Sequence, residues 1–143
     1  MAYIGSGKSE ATLVVGGNAA TVDGKGYFVE ATVFANAKTG MKIVDEEIFG
    51  PVLSVMKFDD EEEGIALANN TEYGLASGVW TRDVAKAHRV ARAIRAGTVW
   101  VNTYNFYDPA APFGGYKASG FGRTLGKLAL DGYTENKTVW IGL

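Results

Sequence analysis

Two adjacent carboxylates, Glu46 and Glu47, stand just ahead of an aromatic, Phe49, and a Gly50-Pro51 break. Paired carboxylates are the equipment of glycoside hydrolysis. Neighbouring residues at a strand entrance point apart, however, so a hydrolase built on this pair is a poor reading. Proline fixes its own φ and disfavours helix in the residue before it, so residues 46–49 form a constrained loop feeding the apolar run 52–58. Loops held in this way commonly carry function, although an isolated E-E-x-F also reads as an acidic turn.

Other chemistry-bearing residues are few. There is no cysteine, which excludes disulfides, cysteine-ligated zinc and any thiol nucleophile within the chain. The one histidine, His88, lies in a helical pattern beside Arg89 and Arg92 and reads as a surface or packing residue. Residues 61–63 are acidic and suit the first turn of a helix better than a metal site. Arg89, Arg92 and Arg95 share a helix face, predicted to be solvated. Tyr104, Phe106, Tyr107 and Phe113 crowd a loop that also holds Pro109 and Pro112. That loop leaves the carboxyl end of a predicted parallel strand, where ligands bind in open α/β sheets, although its aromatics would equally roof a core. The Gly-rich run 113–123 has neither Walker spacing nor a G-x-G-x-x-G after a strand, so close backbone packing is expected of it.

The elements that must position these residues fit one domain of 143 residues, with 47% hydrophobic and 21% charged residues. A net charge of −2 leaves no electrostatic footprint for nucleic acid or an anionic membrane surface, and neither partner is expected. No apolar run approaches the roughly 18 residues of a spanning helix, and a cytoplasmic location is the default expectation. Nineteen glycines, about twice the usual ~7% share, imply many tight turns.

Residues 1–10 read as the tail of a short helix or a frayed end, and residues 11–15 and 26–34 as two strands across a Gly-rich loop. The run 52–58 is nearly continuous in apolar residues, as in a strand covered on both faces. Asp59 or Asp60 is placed to cap the next helix. Residues 75–80 form a second strand, Thr81 caps a helix whose apolar stripe is Val84, Ala87, Ala91 and Ile94, and Gly97 ends it. A third strand, 98–101, completes the alternation of an α/β layer with a parallel sheet covered by helices. A short last helix, 124–132, precedes an alternating strand, 134–143.

Six motifs then become recognisable together. They are Gly26-Tyr-Phe-Val-Glu-Ala-Thr-Val-Phe34, Glu46-Glu-Ile-Phe-Gly-Pro-Val52, Ala68-Asn-Asn-Thr-Glu-Tyr-Gly-Leu75, Gly97-Thr-Val-Trp-Val-Asn102, Pro112-Phe-Gly-Gly-Tyr-Lys-Ala-Ser-Gly120 and Tyr133-Thr-Glu135. In order and spacing they closely resemble the aldehyde dehydrogenase superfamily, over essentially the whole chain. The resemblance is to the carboxyl-terminal part of that enzyme, after the position of its nucleophilic cysteine. Residues 1–132 would then be part of the catalytic domain, and 133–143 an oligomerisation strand.

The resemblance implies attack of a thiolate on an aldehyde, hydride transfer to NAD or NADP, with NAD favoured, and hydrolysis of a thioester. It places no catalytic residue in this chain, which would be inactive alone. It implies that Glu47 accepts hydrogen bonds from the nicotinamide ribose, that Phe49 packs near the nicotinamide ring, and that Leu75 is a weaker contact beside it. Tyr107 and Phe113 match positions lining the aldehyde tunnel, whose rings would accept apolar, aromatic or quaternary ammonium substrates. Glu135 matches a position facing Arg123. Thr124 departs from the glutamate that many members carry after this arginine, which puts a proton relay there in doubt. The terminal strand would join a neighbouring subunit in a homo-oligomer. The competing expectation is a non-catalytic assembly or binding domain that retains the fold.

Overall fold

The computed structural model describes residues 1–143 as two compact units, Met1–Asp60 and Glu61–Leu143. Both mix helices with small sheets. The first unit runs α1 (Ala2–Glu10), β1 (Thr12–Val15), β2 (Ala19–Val22), β3 (Lys25–Val29), β4 (Thr32–Ala35), α2 (Lys42–Asp45) and β5 (Val52–Ser54). Strand β4 is central, antiparallel to β1 and parallel to β5. Phe34, in the middle of β4, is fully buried with Ile4, Ala37 and Ile43. Gly7 of α1 makes room for it, since a Cβ there would come within 2.6 Å of the Phe34 ring. The helix therefore forms in spite of its two glycines, because the packing of Phe34 outweighs their low propensity.

Three expectations are corrected in this unit. The predicted strand 26–34 breaks at residues 30 and 31: β3 pairs back on β2 in a hairpin, while β4 joins the other sheet. At the break the buried Thr32 hydroxyl donates to the Glu30 carbonyl at 2.8 Å and accepts from the Gly17 N–H at 2.9 Å. The hairpin turns at Asp23-Gly24, both at positive φ, the pairing that a two-residue turn of this kind requires. Strand β5 is shorter than 52–58 and covered on one face only, with Leu53 and Val55 exposed and Val52 and Met56 packed on the core.

The second unit runs α3 (Glu61–Asn69), β6 (Tyr73–Gly74), β7 (Ala76–Val79), α4 (Val84–Ala93), β8 (Thr98–Val101), β9 (Tyr116–Lys117) and a 3-10 helix, Lys127–Gly132. Strands β7 and β8 are parallel across the crossover α4, in the order the periodicity predicted. The predicted parallel layer is nonetheless not one sheet: β5 pairs with β4, β7 with β8, and β6 with β9. Helix α4 is capped by Asp83, whose carboxylate accepts from the Lys86 N–H at 3.0 Å, and not by Thr81, whose hydroxyl accepts from the Asp83 N–H. It stops at Ala93, short of Gly97, because the Asn69 amide donates to the Ala93 carbonyl and accepts from the Arg95 N–H. The acidic residues 61–63 do form the first turn of α3.

Residues 134–143 form no strand. Their alternating pattern requires a facing edge for its N–H and C=O groups, and the segment has none within the chain. Trp140 and Ile141 are exposed. No helix of the chain is long and apolar enough to cross a membrane.

Candidate functional site

The two adjacent carboxylates have different surroundings. Glu46 caps the end of α2, its N–H bonding to the Lys42 carbonyl at 3.2 Å. Its Oε2 accepts from the Tyr3 hydroxyl at 2.7 Å and lies 3.9 Å from the Lys42 ammonium. Glu47 is exposed and its carboxylate is unpaired, leaving two acceptor oxygens toward solvent. Ile48 turns inward onto the core. Phe49 then points out, 92% exposed, at φ +49. A bulky side chain in the left-handed region is a backbone outlier, and such outliers cluster at ligand clamps. The loop is tied again beyond Gly50, where Thr32 N–H bonds to the Pro51 carbonyl at 2.8 Å and β5 begins.

In the second unit, Leu75 sits between β6 and β7, half exposed, its carbonyl accepting from the Thr98 N–H at 3.2 Å. Leu75 and Phe113 line the same open cleft of about 820 Å³, with Arg123, Thr124 and Tyr133 on its walls. Tyr107 and Phe113 meet edge to face, ring centroids 5.0 Å apart. The predicted aromatic loop is therefore brought together, and it is larger than the sequence suggested. Trp100 of β8 packs against both Tyr104 and Tyr107, at 4.9 and 5.6 Å, and its indole N–H donates to the Phe106 carbonyl at 2.8 Å. Trp80 extends the series by stacking on Tyr104. Neither tryptophan stands out in the sequence, because Trp100 falls inside an apolar strand run and Trp80 directly after one, where an aromatic signals only core.

The glycines of the P-F-G-G-Y motif do pack backbone against backbone. A Cβ on Gly97 would fall 1.6 Å from the Gly114 carbonyl oxygen, and one on Gly115 would fall 2.5 Å from that of Ser119. Phe113 and Thr124 exchange backbone hydrogen bonds at 2.8 and 2.7 Å, which aims the Phe113 ring into the cleft wall. Arg123 does not pair with Glu135. Its guanidinium donates to the Gly115 and Gly122 carbonyls and lies over the Tyr116 ring, while Glu135 is exposed. His88 is exposed on α4, and Arg89 of the predicted basic row is bound in a bidentate pair to Glu61.

Residues 1–139 match the aldehyde dehydrogenase family. Betaine aldehyde dehydrogenase 1 of Rhizobium meliloti is 54% identical over 143 residues, covering 99% of this chain and 29% of that protein. Among solved structures, a variant of the P. syringae AldA indole-3-acetaldehyde dehydrogenase in complex with NAD+ and IAA superposes with a TM-score of 0.92 at 52% identity, over 99% of this chain and 29% of that one. An aldehyde dehydrogenase from Bacillus cereus in an NAD+ complex gives 0.91 at 55% identity, with the same coverage. The chain belongs to the aldehyde dehydrogenase family. It spans about three tenths of the length of these relatives, 29% in each case.

Proposed function

We propose that this chain is part of an NAD(P)-dependent aldehyde dehydrogenase, with NAD the favoured cofactor, that oxidises an aldehyde to a carboxylate through a thioester. The chain supplies cofactor and substrate contacts. The observation that carries this reading is the asymmetry of the carboxylate pair: Glu46 is bound to Tyr3 and Lys42, and Glu47 is left open. An unpaired carboxylate is an acceptor-only group and suits the two hydroxyl donors of a ribose. The outward ring of Phe49, two residues on, fits a flat heteroaromatic partner. Leu75 would add a weaker apolar contact. The cofactor, when bound, accepts the hydride.

Tyr107 and Phe113 would form an aromatic wall for the aldehyde. It suits apolar or aromatic side chains, and a quaternary ammonium would gain from the ring faces. Family motif order and the absence of cysteine support placing the chain on the carboxyl side of the enzyme's nucleophilic cysteine, so that no catalytic residue belongs to it. Residues 133–143, which expose Val139, Trp140 and Ile141 and form no strand pairing within the chain, would serve as the strand that joins a second subunit.

The test uses the complete protein that contains this chain. Its reduction of NAD+ with a panel of aldehydes should depend on one cysteine outside this stretch. Glu47→Gln should lower single-turnover hydride transfer about tenfold, since a neutral amide is the poorer acceptor. Unchanged single-turnover rates would remove Glu47 from the cofactor site.

A further inference from the structure

We infer that the Tyr3 hydroxyl is a positioning group for the 46–49 loop: it engages the first of the two carboxylates so that the second alone is presented to the cofactor. The inference rests on the cofactor reading above and adds a residue, 43 positions upstream of Glu46, that no motif marks. Tyr3 stands on the first turn of α1, half-buried, and its phenolic O–H reaches Glu46 Oε2 at 2.7 Å. Lys42 approaches the same oxygen at 3.9 Å and lies over the Tyr3 ring, 5.2 Å from its centroid. One oxygen of Glu46 thus faces both a hydroxyl donor and an ammonium.

The geometry has a consequence for selection between the two carboxylates. Consecutive residues of an extended segment project to opposite sides, so a diol that engaged Glu46 would sit away from Phe49. Glu46 is removed from that competition by its contacts with α1 and α2. The anchor also fixes where the loop departs. With Glu46 bound at one end, Pro51 tied to Thr32 at the other and Ile48 packed on the core, the left-handed Phe49 is over-determined by its surroundings.

Tyr3→Phe removes the hydroxyl and keeps the ring under Lys42. In the complete protein we expect amide exchange of residues 46–50, measured without cofactor, to rise several-fold. The NAD+ dissociation constant should rise about fivefold to tenfold, as for the loss of one hydrogen bond of ordinary net strength. Glu46→Ala should do the same, and the double variant should be no worse than either single one, because both remove one interaction. A merely structural tyrosine would give additive effects and shift the melting temperature instead of the dissociation constant. Unchanged exchange or unchanged NAD+ affinity in Tyr3→Phe, with Glu47→Gln still impaired, would overturn this inference and leave the cofactor reading standing. Unchanged hydride transfer in Glu47→Gln would overturn the cofactor reading itself.

Discussion

Tyr107 and Phe113 meet at 86° with centroids 5.0 Å apart, and Tyr107 meets Trp100 at 90°. Each ring is therefore set by the edge of the next, and the proposed substrate wall is anchored on the buried Trp100. Tyr107→Ala in the complete protein should raise KM for an aromatic aldehyde about tenfold, a loss of about 1.4 kcal/mol, within the range for a truncated edge-to-face contact. Acetaldehyde, too small to reach the wall, should change little. Equal changes for the two aldehydes would mean that Tyr107 supports the fold and not the substrate.

The pair between α3 and α4 predicts an acid sensitivity. Glu61 accepts from Arg89 through two bonds of 3.0 Å, with Lys86 at 3.7 Å. The Arg89 hydrogen bonds hold Glu61 below the usual carboxylate range and raise Arg89, and the Lys86 N–H lowers Asp83 at the helix cap. Depressed carboxylates contribute stability above their unfolded values, about 4.3 for glutamate and 3.9 for aspartate, and lose it as pH falls through the folded values. Melting temperature should thus fall more steeply below about pH 4.5 in the wild type than in Glu61→Gln. The difference should shrink in high salt, since the groups are exposed. Parallel acid curves for the two proteins would show that the pair contributes nothing.

The local features that decide structure within a few residues were legible in the sequence: the constrained loop 46–49 feeding β5, the acidic start of α3, the β7–α4–β8 crossover, and the close-packed Gly114 and Gly115. The larger misreadings involve partners distant in the chain. Helix α4 ends where Asn69, 24 residues upstream, caps Ala93, and Gly97 is kept small by Gly114 and not by a helix end. The strand expected at 134–143 has the right alternation and no facing edge. The engagement of Glu46 was not legible because its partner, Tyr3, lies 43 residues away. Two short-range signals were passed over: the D-G dipeptide at 23 and 24, which marked the β2–β3 hairpin, and Asp83, which caps α4.

Thr32 provides a test of the first unit independent of function. It is 1% exposed, and its hydroxyl is both acceptor for Gly17 N–H and donor to Glu30. Thr32→Val keeps the shape and orphans a buried N–H, which costs about 1–3 kcal/mol. Urea denaturation should show a lower midpoint at unchanged slope. A loss under about 0.5 kcal/mol, the level of an ordinary surface change, would indicate that solvent satisfies Gly17 in place of the hydroxyl.

Phe49 offers the sharpest separation of stability from function. Its ring is 92% exposed, so it contributes almost no packing to the unit, and its φ of +49 puts a Cβ in the left-handed region. That conformation costs a non-glycine residue about 1–2 kcal/mol. Glycine adopts it without strain, although its greater freedom in the unfolded chain returns about 0.5–1 kcal/mol of the gain. Phe49→Gly should therefore stabilise the 143-residue chain by roughly 0.5–1 kcal/mol in urea denaturation. If the ring is kept there for the nicotinamide, the same substitution in the complete protein should weaken NAD+ binding about tenfold, or about 1.4 kcal/mol. A residue retained for folding would show the reverse pattern, a less stable chain with unchanged NAD+ affinity. Phe49→Ala distinguishes ring from backbone: it loses the ring and keeps the strain, so it should weaken binding without the gain in stability.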